Sequence, residues 1–128
     1  GWRVCGENMF ARHSLWYDAL PSWFLGFSVW NERNECLPWD ETMEWFELLG
    51  LVAVPVLFDG VYDEDELRRL CLSLDTSRVE GCVVRVADAF PYGAFACHVA
   101  KYVRAGHVTT DRHWRSRPVI ANRLAPKP

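Results

Sequence analysis

Strands alternating with short helices, without the regular spacing of strand–helix–strand units, predict an α+β fold for these 128 residues. Half of the residues are apolar and 14 % are aromatic. That excludes a disordered chain and suffices for one packed unit. The run Trp23-Phe24-Leu25-Gly26-Phe27-Ser28-Val29-Trp30 has the aromatic and β-branched content of a buried strand.

Residues 2–10 read as a strand followed by a turn, and residues 31–34 as a polar turn after the aromatic strand. A helix capped at or near Asp40 runs to Leu49, with Met43, Phe46 and Leu49 as its apolar stripe and Gly50 as its stop. Residues 52–58 form a short edge strand, since Pro55 interrupts it. Asp63 and Glu66 have the spacing of a capping box, and Leu67, Leu70, Cys71 and Leu74 make one stripe of the helix that follows. The acidic cluster at 63–66 is thereby helix-start chemistry rather than a metal site. Residues 81–86 read as a strand, and residues 95–103 as a further helix or strand. The whole is expected to be a single unit, 1–128, in which residues 104–128 are a basic loop or tail that ends loosely.

Several classes are excluded at this level. No apolar run is long enough to span a bilayer. The first residues carry neither an initiator Met nor a signal-peptide pattern, as expected of a chain that begins inside a larger reading frame or was processed. Cys5, Cys36, Cys71, Cys82 and Cys97 are odd in number, widely spaced and without a C-x-x-C pair. They are expected to be reduced, mostly buried thiols of a cytoplasmic protein. His98, His107 and His113, with Cys97 beside the first, match no common zinc spacing. Trp16, Trp23, Trp30, Trp39 and Trp45 are assigned to the core, whereas Trp114 is open to a role in base stacking.

The net charge of −3 hides an asymmetry. Residues 1–100 hold seven Lys/Arg against sixteen Asp/Glu, a balance of −9; residues 101–128 hold seven against one, a balance of +6. A basic segment on an acidic protein points to an anionic partner, phosphates above all, or to a solvated tail.

Two segments concentrate site chemistry. Val79-Glu80-Gly81-Cys82-Val83-Val84-Arg85 places a carboxylate before a glycine that permits close backbone approach, then an apolar strand ending in a cation. Ala100-Lys101-Tyr102-Val103-Arg104 opens the basic segment. A carboxylate and a lysine on neighbouring elements suit a metal ion and a phosphate held together.

In order and spacing, Gly6-Glu7, Phe24-Leu25-Gly26-Phe27-Ser28-Val29, Glu80-Gly81-x-Val83-Val84-Arg85 and Ala100-Lys101 resemble motifs III, IIIa, IV and V of the covalent nucleotidyltransferases. The flanking words Asn8-Met9-Phe10-Ala11-Arg12-His13-Ser14 and Tyr102-Val103-Arg104 make the chain similar to the RNA ligase domain of the phage RNA ligase 2 type and its bacterial relatives, from about residue 2 to about residue 124. DNA ligases and capping enzymes share the motifs but not those flanking words. The resemblance implies an adenylation-domain fold of antiparallel sheets with flanking helices. It also implies ATP and Mg²⁺ as cofactors, RNA ends as partners, and sealing of 5′-phosphate to 3′-hydroxyl through lysyl-AMP and RNA-adenylate intermediates.

Carried over by motif, Glu7 contacts the ribose hydroxyls, Phe27 stacks on adenine with Val83 on the other face, Glu80 binds the divalent metal, and Lys101 contacts the α-phosphate. Arg104, Arg112, Arg115 and Arg117 are the expected RNA-binding cations. Three departures stand out. Ser28 replaces an Asp common in relatives, a change expected to affect packing more than chemistry. Val103 occupies the slot of a second motif V lysine. The nucleophile word K-x-D-G is absent, the only lysines being Lys101 and Lys127. The chain is therefore expected to be the C-terminal part of such a domain, the rival being a non-catalytic nucleotide- or RNA-binding module derived from that fold.

Overall fold

The computed structural model describes residues 1–106 and 118–127. Along them run β1 (Arg3–Asn8), β2 (Phe24–Trp30), β3 (Glu35–Cys36), α1 (Trp39–Leu49), β4 (Val52–Ala53), α2 (Glu64–Ser73), β5 (Gly81–Arg85), β6 (Phe90–Pro91), α3 (Phe95–His98) and β7 (Val99–Val103). One turn of 3-10 helix, Tyr92–Ala94, leads into α3. The mixed composition and antiparallel sheets agree with the α+β class read from the sequence.

Strand β2 is the centre of a five-stranded sheet. It pairs antiparallel with β1 along its length, antiparallel with β3 through Trp30 and Cys36, and parallel with β4. Strand β6 extends the sheet beyond β3. Strands β5 and β7 form a separate antiparallel pair in which Cys82 lies opposite Tyr102 and Val83 opposite Lys101.

Side chains alternate across a strand, so Val29 and Trp30 leave β2 on opposite faces. Each seeds a core. Val29 packs with Leu37 and Phe46, flanked by Val4, Leu51 and Ala53. Trp30 packs with Cys36 and Phe90, flanked by Cys5 and Val99. The first core seats α1 against the sheet. The second lies between the large sheet and the β5–β7 pair, because Cys5 belongs to one and Val99 to the other.

Helix α1 is rotated from the face expected of it. Thr42 and Phe46 are its buried residues, whereas Met43 is 39 % and Leu49 53 % exposed. The Phe46 ring seats over Gly26, where a Cβ would come within 2.6 Å of it, so the strand's one missing side chain sets the helix's contact face. The cap is Pro38 rather than Asp40; Asp40 instead joins Glu41 in the first turn, where negative charge favours the helix dipole. Gly50 ends the helix in the left-handed region (φ 65°) as expected.

Helix α2 follows its prediction closely. Asp63 accepts a hydrogen bond from the Glu66 backbone N–H at 2.9 Å, and Leu67, Leu70, Cys71 and Leu74 are its half-buried stripe. The strand expected over 52–58 shrinks to two residues. Its last ladder bond runs from Val54 N–H to the Gly26 carbonyl, immediately before Pro55.

Two expectations are corrected. Of the five tryptophans assigned to the core, only Trp30 is buried; Trp16, Trp23 and Trp45 are 36–45 % exposed and Trp39 is half-buried. Trp45 and Trp23 instead make ring pairs near the surface, with Trp2 and Phe10 respectively, both at 5.3 Å. Nor does the C-terminal segment end loosely. Residues 120–125 exchange backbone hydrogen bonds with Phe10, Arg12, Tyr17 and Leu20, and bridges join Ala11 to Ala121 and Leu20 to Leu124.

Phe46 is 1 % exposed and Leu48 is 78 % exposed on the same helix. Phe46→Ala should cost about 3–5 kcal/mol of stability, whereas Leu48→Ala should stay within about 0.5 kcal/mol. Urea unfolding of the two variants side by side checks the seating of α1.

Candidate functional site

Glu7 owes its position to the pairing of β1 with β2. It lies opposite Leu25 and two residues beyond Cys5, so it shares the face of Cys5, which packs into the Trp30 core. Lys101 stands in the same relation to Val99 on β7, and Val83 lies directly across from Lys101. The two strands thus carry Glu7 on one side, and Lys101 with Val83 on the other, onto surfaces that share one apolar floor of Trp30, Cys36 and Phe90. Arg85 fixes the second surface. Its guanidinium donates to the Leu37 carbonyl at 3.1 Å and lies 5.7 Å and 5.4 Å from the ring centres of Trp39 and Phe90.

Phe27 sits at an irregularity in the ladder. Cys5 pairs with Ser28 and Gly6 with Gly26, which leaves Phe27 opposite no residue. Such a bulge re-aims the extra side chain, and Phe27 is 41 % exposed between buried neighbours. Ser28, by contrast, is buried, and its hydroxyl accepts from the Trp30 indole N–H at 3.0 Å. That is the packing role expected for it.

Glu80 lies at the end of the loop before β5. The next residue is Gly81 (φ 157°), where a Cβ would fall 1.9 Å from the Tyr102 carbonyl oxygen. Only glycine lets the strands close there. The Glu80 carbonyl accepts from Arg104 N–H at 2.9 Å, and the Ser14 hydroxyl donates to Oε1 of its side chain.

Glu7 and Glu80, far apart in sequence, line one small pocket with Asn8, His13, Tyr17 and Asn122. Its volume of about 30 Å³ suits a water or two rather than a nucleotide. Burial pushes the Tyr17 hydroxyl above its ordinary pKa, the Glu80 carboxylate adds to the shift, Arg104 opposes it and Glu7 adds a little more. The tyrosine therefore stays a neutral hydrogen-bonding group among charges.

Arg104, expected among the RNA-binding cations, is half-buried, and its Nε makes no hydrogen bond among the described residues. Arg112, Arg115 and Arg117, like His107, His113 and Trp114, lie outside the described residues. His98 stacks on Phe90 at 5.2 Å and its Nδ1 lies 2.8 Å from the Ala94 carbonyl, a packing role.

Among the described residues no group of three or more His, Cys, Asp and Glu side chains is arranged to hold a metal ion. A single carboxylate such as Glu80 fits a narrower case. Mg²⁺ in nucleotide sites takes one or two protein carboxylates and completes its octahedron with water and substrate phosphates.

Ser14, Tyr17 and Asn122 escape motif reading. The buried Asn122 accepts from Tyr17 N–H at 2.9 Å and donates to the Met9 carbonyl at 2.8 Å. It thereby holds the 9–17 loop, which carries Ser14 and Tyr17 to Glu80. The only sequence signal for this loop is that the resemblance continues past Glu7 through Ser14. Asn122→Ala should cost about 1–3 kcal/mol, the cost of leaving buried polar groups unpaired. It should also speed amide exchange at Tyr17 and in the 9–17 loop while leaving Phe46 amide protection unchanged; hydrogen exchange read by mass spectrometry separates the two regions.

No helix among the described residues is long and apolar enough to cross a membrane. A family model described as RNA ligase matches residues 1–103. Neither a curated protein nor a solved structure matches the chain.

Proposed function

Because the chain belongs to the RNA ligase family, we propose that it supplies the C-terminal part of an ATP-dependent adenylation domain of the covalent nucleotidyltransferase fold, acting on RNA ends in the cytoplasm. One observation supports this reading beyond family membership: Glu7 and Glu80, far apart in sequence, line one pocket, while Lys101 pairs with Val83 on the β5–β7 ladder.

The roles are those that the family resemblance implies. Glu7 accepts hydrogen bonds from the ribose hydroxyls. Phe27, turned out of the ladder, offers its face to adenine, and Val83, 61 % exposed, offers methyl groups to the other side. Lys101 neutralises charge on the α-phosphate. Glu80, held by Ser14, is the carboxylate for Mg²⁺, which supplies further charge neutralisation at the phosphates. Phosphoryl transfer asks little more of a protein than positioning and such neutralisation. Arg104, Arg112, Arg115 and Arg117 are proposed to meet RNA phosphates, Arg104 from its half-buried position.

In the reaction assigned to the domain, a lysine amine displaces pyrophosphate from ATP. AMP then passes to an RNA 5′-phosphate, and a 3′-hydroxyl displaces it. Neither lysine of this chain fits the first task. Lys101 is assigned to the α-phosphate rather than to attack on it, and Lys127 stands between two prolines. A second reading is a nucleotide- or RNA-binding module of the same fold.

Intact-mass spectrometry after incubation with ATP and Mg²⁺ should therefore show no AMP adduct on this chain, because covalent catalysis fails without its nucleophile. An adduct mapped to Lys101 would overturn the assigned roles. Nucleotide binding tests the site itself. Phe27→Ala should weaken ATP binding by about 1–3 kcal/mol, the value of one base–aromatic stack. An unchanged Kd in a folded variant would return Phe27 to a packing role.

A further inference from the structure

Two of the five cysteines stand apart from the site described above. Cys71 lies on the half-buried stripe of α2, and Cys82 lies on β5, on the face opposite Val83 and Lys101. Their sulfurs are 3.2 Å apart. A disulfide bond is about 2.05 Å long, so the two atoms need only a small further approach. Both thiols are half-buried and reachable; Cys36, by contrast, is 1 % exposed.

We propose that Cys71 and Cys82 form a reversible disulfide site, oxidised by thiol exchange with a small-molecule disulfide of the glutathione type. The inference rests on the α2–β5 packing alone and stands whether or not the chain acts in ligation. In the first step the Cys71 thiolate attacks one sulfur of the reagent, forming a mixed disulfide and expelling one small thiolate. In the second, the Cys82 sulfur attacks the Cys71 sulfur and expels the other. Two protein thiols lose two protons and two electrons, and the reagent leaves as two small thiols. Cys71 is the first attacker because burial, reinforced by the hydrogen bond to Cys71, pushes the Cys82 thiol up to about 11, which leaves little thiolate there.

The bond would join the last part of α2 to the second residue of β5. It would thereby close the 72–81 segment, which ends in the Glu80-Gly81 turn. The loop it closes is short, so the tether constrains the unfolded chain less than one across a long loop would.

Trypsin provides a clean reading, since Arg69, Arg78 and Arg85 place the two cysteines on separate peptides, 70–78 and 79–85. The folded chain is incubated with glutathione disulfide, blocked with N-ethylmaleimide and digested. The expected product is the two peptides joined, separable by dithiothreitol. The oxidised chain should also melt higher, by on the order of 10 °C. Cys82→Ser should instead accumulate a stable glutathione adduct on peptide 70–78. Recovery of both wild-type peptides carrying N-ethylmaleimide, or of glutathione stably attached to either, would overturn the proposal.

Discussion

Two adjacent residues of a strand must point to opposite faces of the sheet, and in β2 those residues are Val29 and Trp30, both almost wholly buried. A strand covered on both faces needs a layer on each side. Phe46 of α1 supplies one by seating over Gly26. The other is an aromatic cluster. Trp30 meets Phe90 and Tyr92 edge-on at 5.7 and 5.8 Å and stacks near Phe95 at 6.4 Å, with the Arg3 guanidinium 4.9 Å from its ring centre. Such pairs contribute about 0.5–1.5 kcal/mol each beyond the area they bury. The β5–β7 pair is held against the large sheet through this cluster, by Val99 and by the Arg85 bond to Leu37.

The sequence is legible where local chemistry decides the outcome. Asp63 and Glu66 specify the start of α2 within one turn, and Gly50 the end of α1. The aromatic run of β2 could hardly be anything but a buried strand. The failures have a common cause in tertiary context. The stripe of α1 was assigned from apolarity, yet Thr42 is fully buried while Met43 and Leu49 are not, because the contact face was chosen by a glycine on another element. Tryptophan is too large to be buried by default, and three of the five placed in the core lie near the surface, two of them pairing with Trp2 and Phe10. Of the candidate site, the motif residues were legible individually. Their convergence was not, since nothing local brings Glu7 to Glu80.

That convergence depends on contacts spanning almost the entire chain. Asn122 bonds to Met9 and Tyr17 across sequence separations of 113 and 105 residues. No periodicity or composition signal reports such a pairing, and the basic character of the C-terminal segment suggests solvent instead. A polar side chain can be buried there because its carbonyl and amide are both satisfied by backbone groups. The same bonds determine where the loop after β1 runs, and so where Ser14 and Tyr17 stand.

The electrostatics of that corner give the arrangement its chemical sense. Two carboxylates lining one pocket repel, and a protein keeps them together only where donors or a cation offset the repulsion. Ser14 donates to Glu80, and the charge of Arg104 reaches Tyr17 beside both acids. Burial keeps the Tyr17 hydroxyl neutral there, so it stands among these charges without adding one of its own.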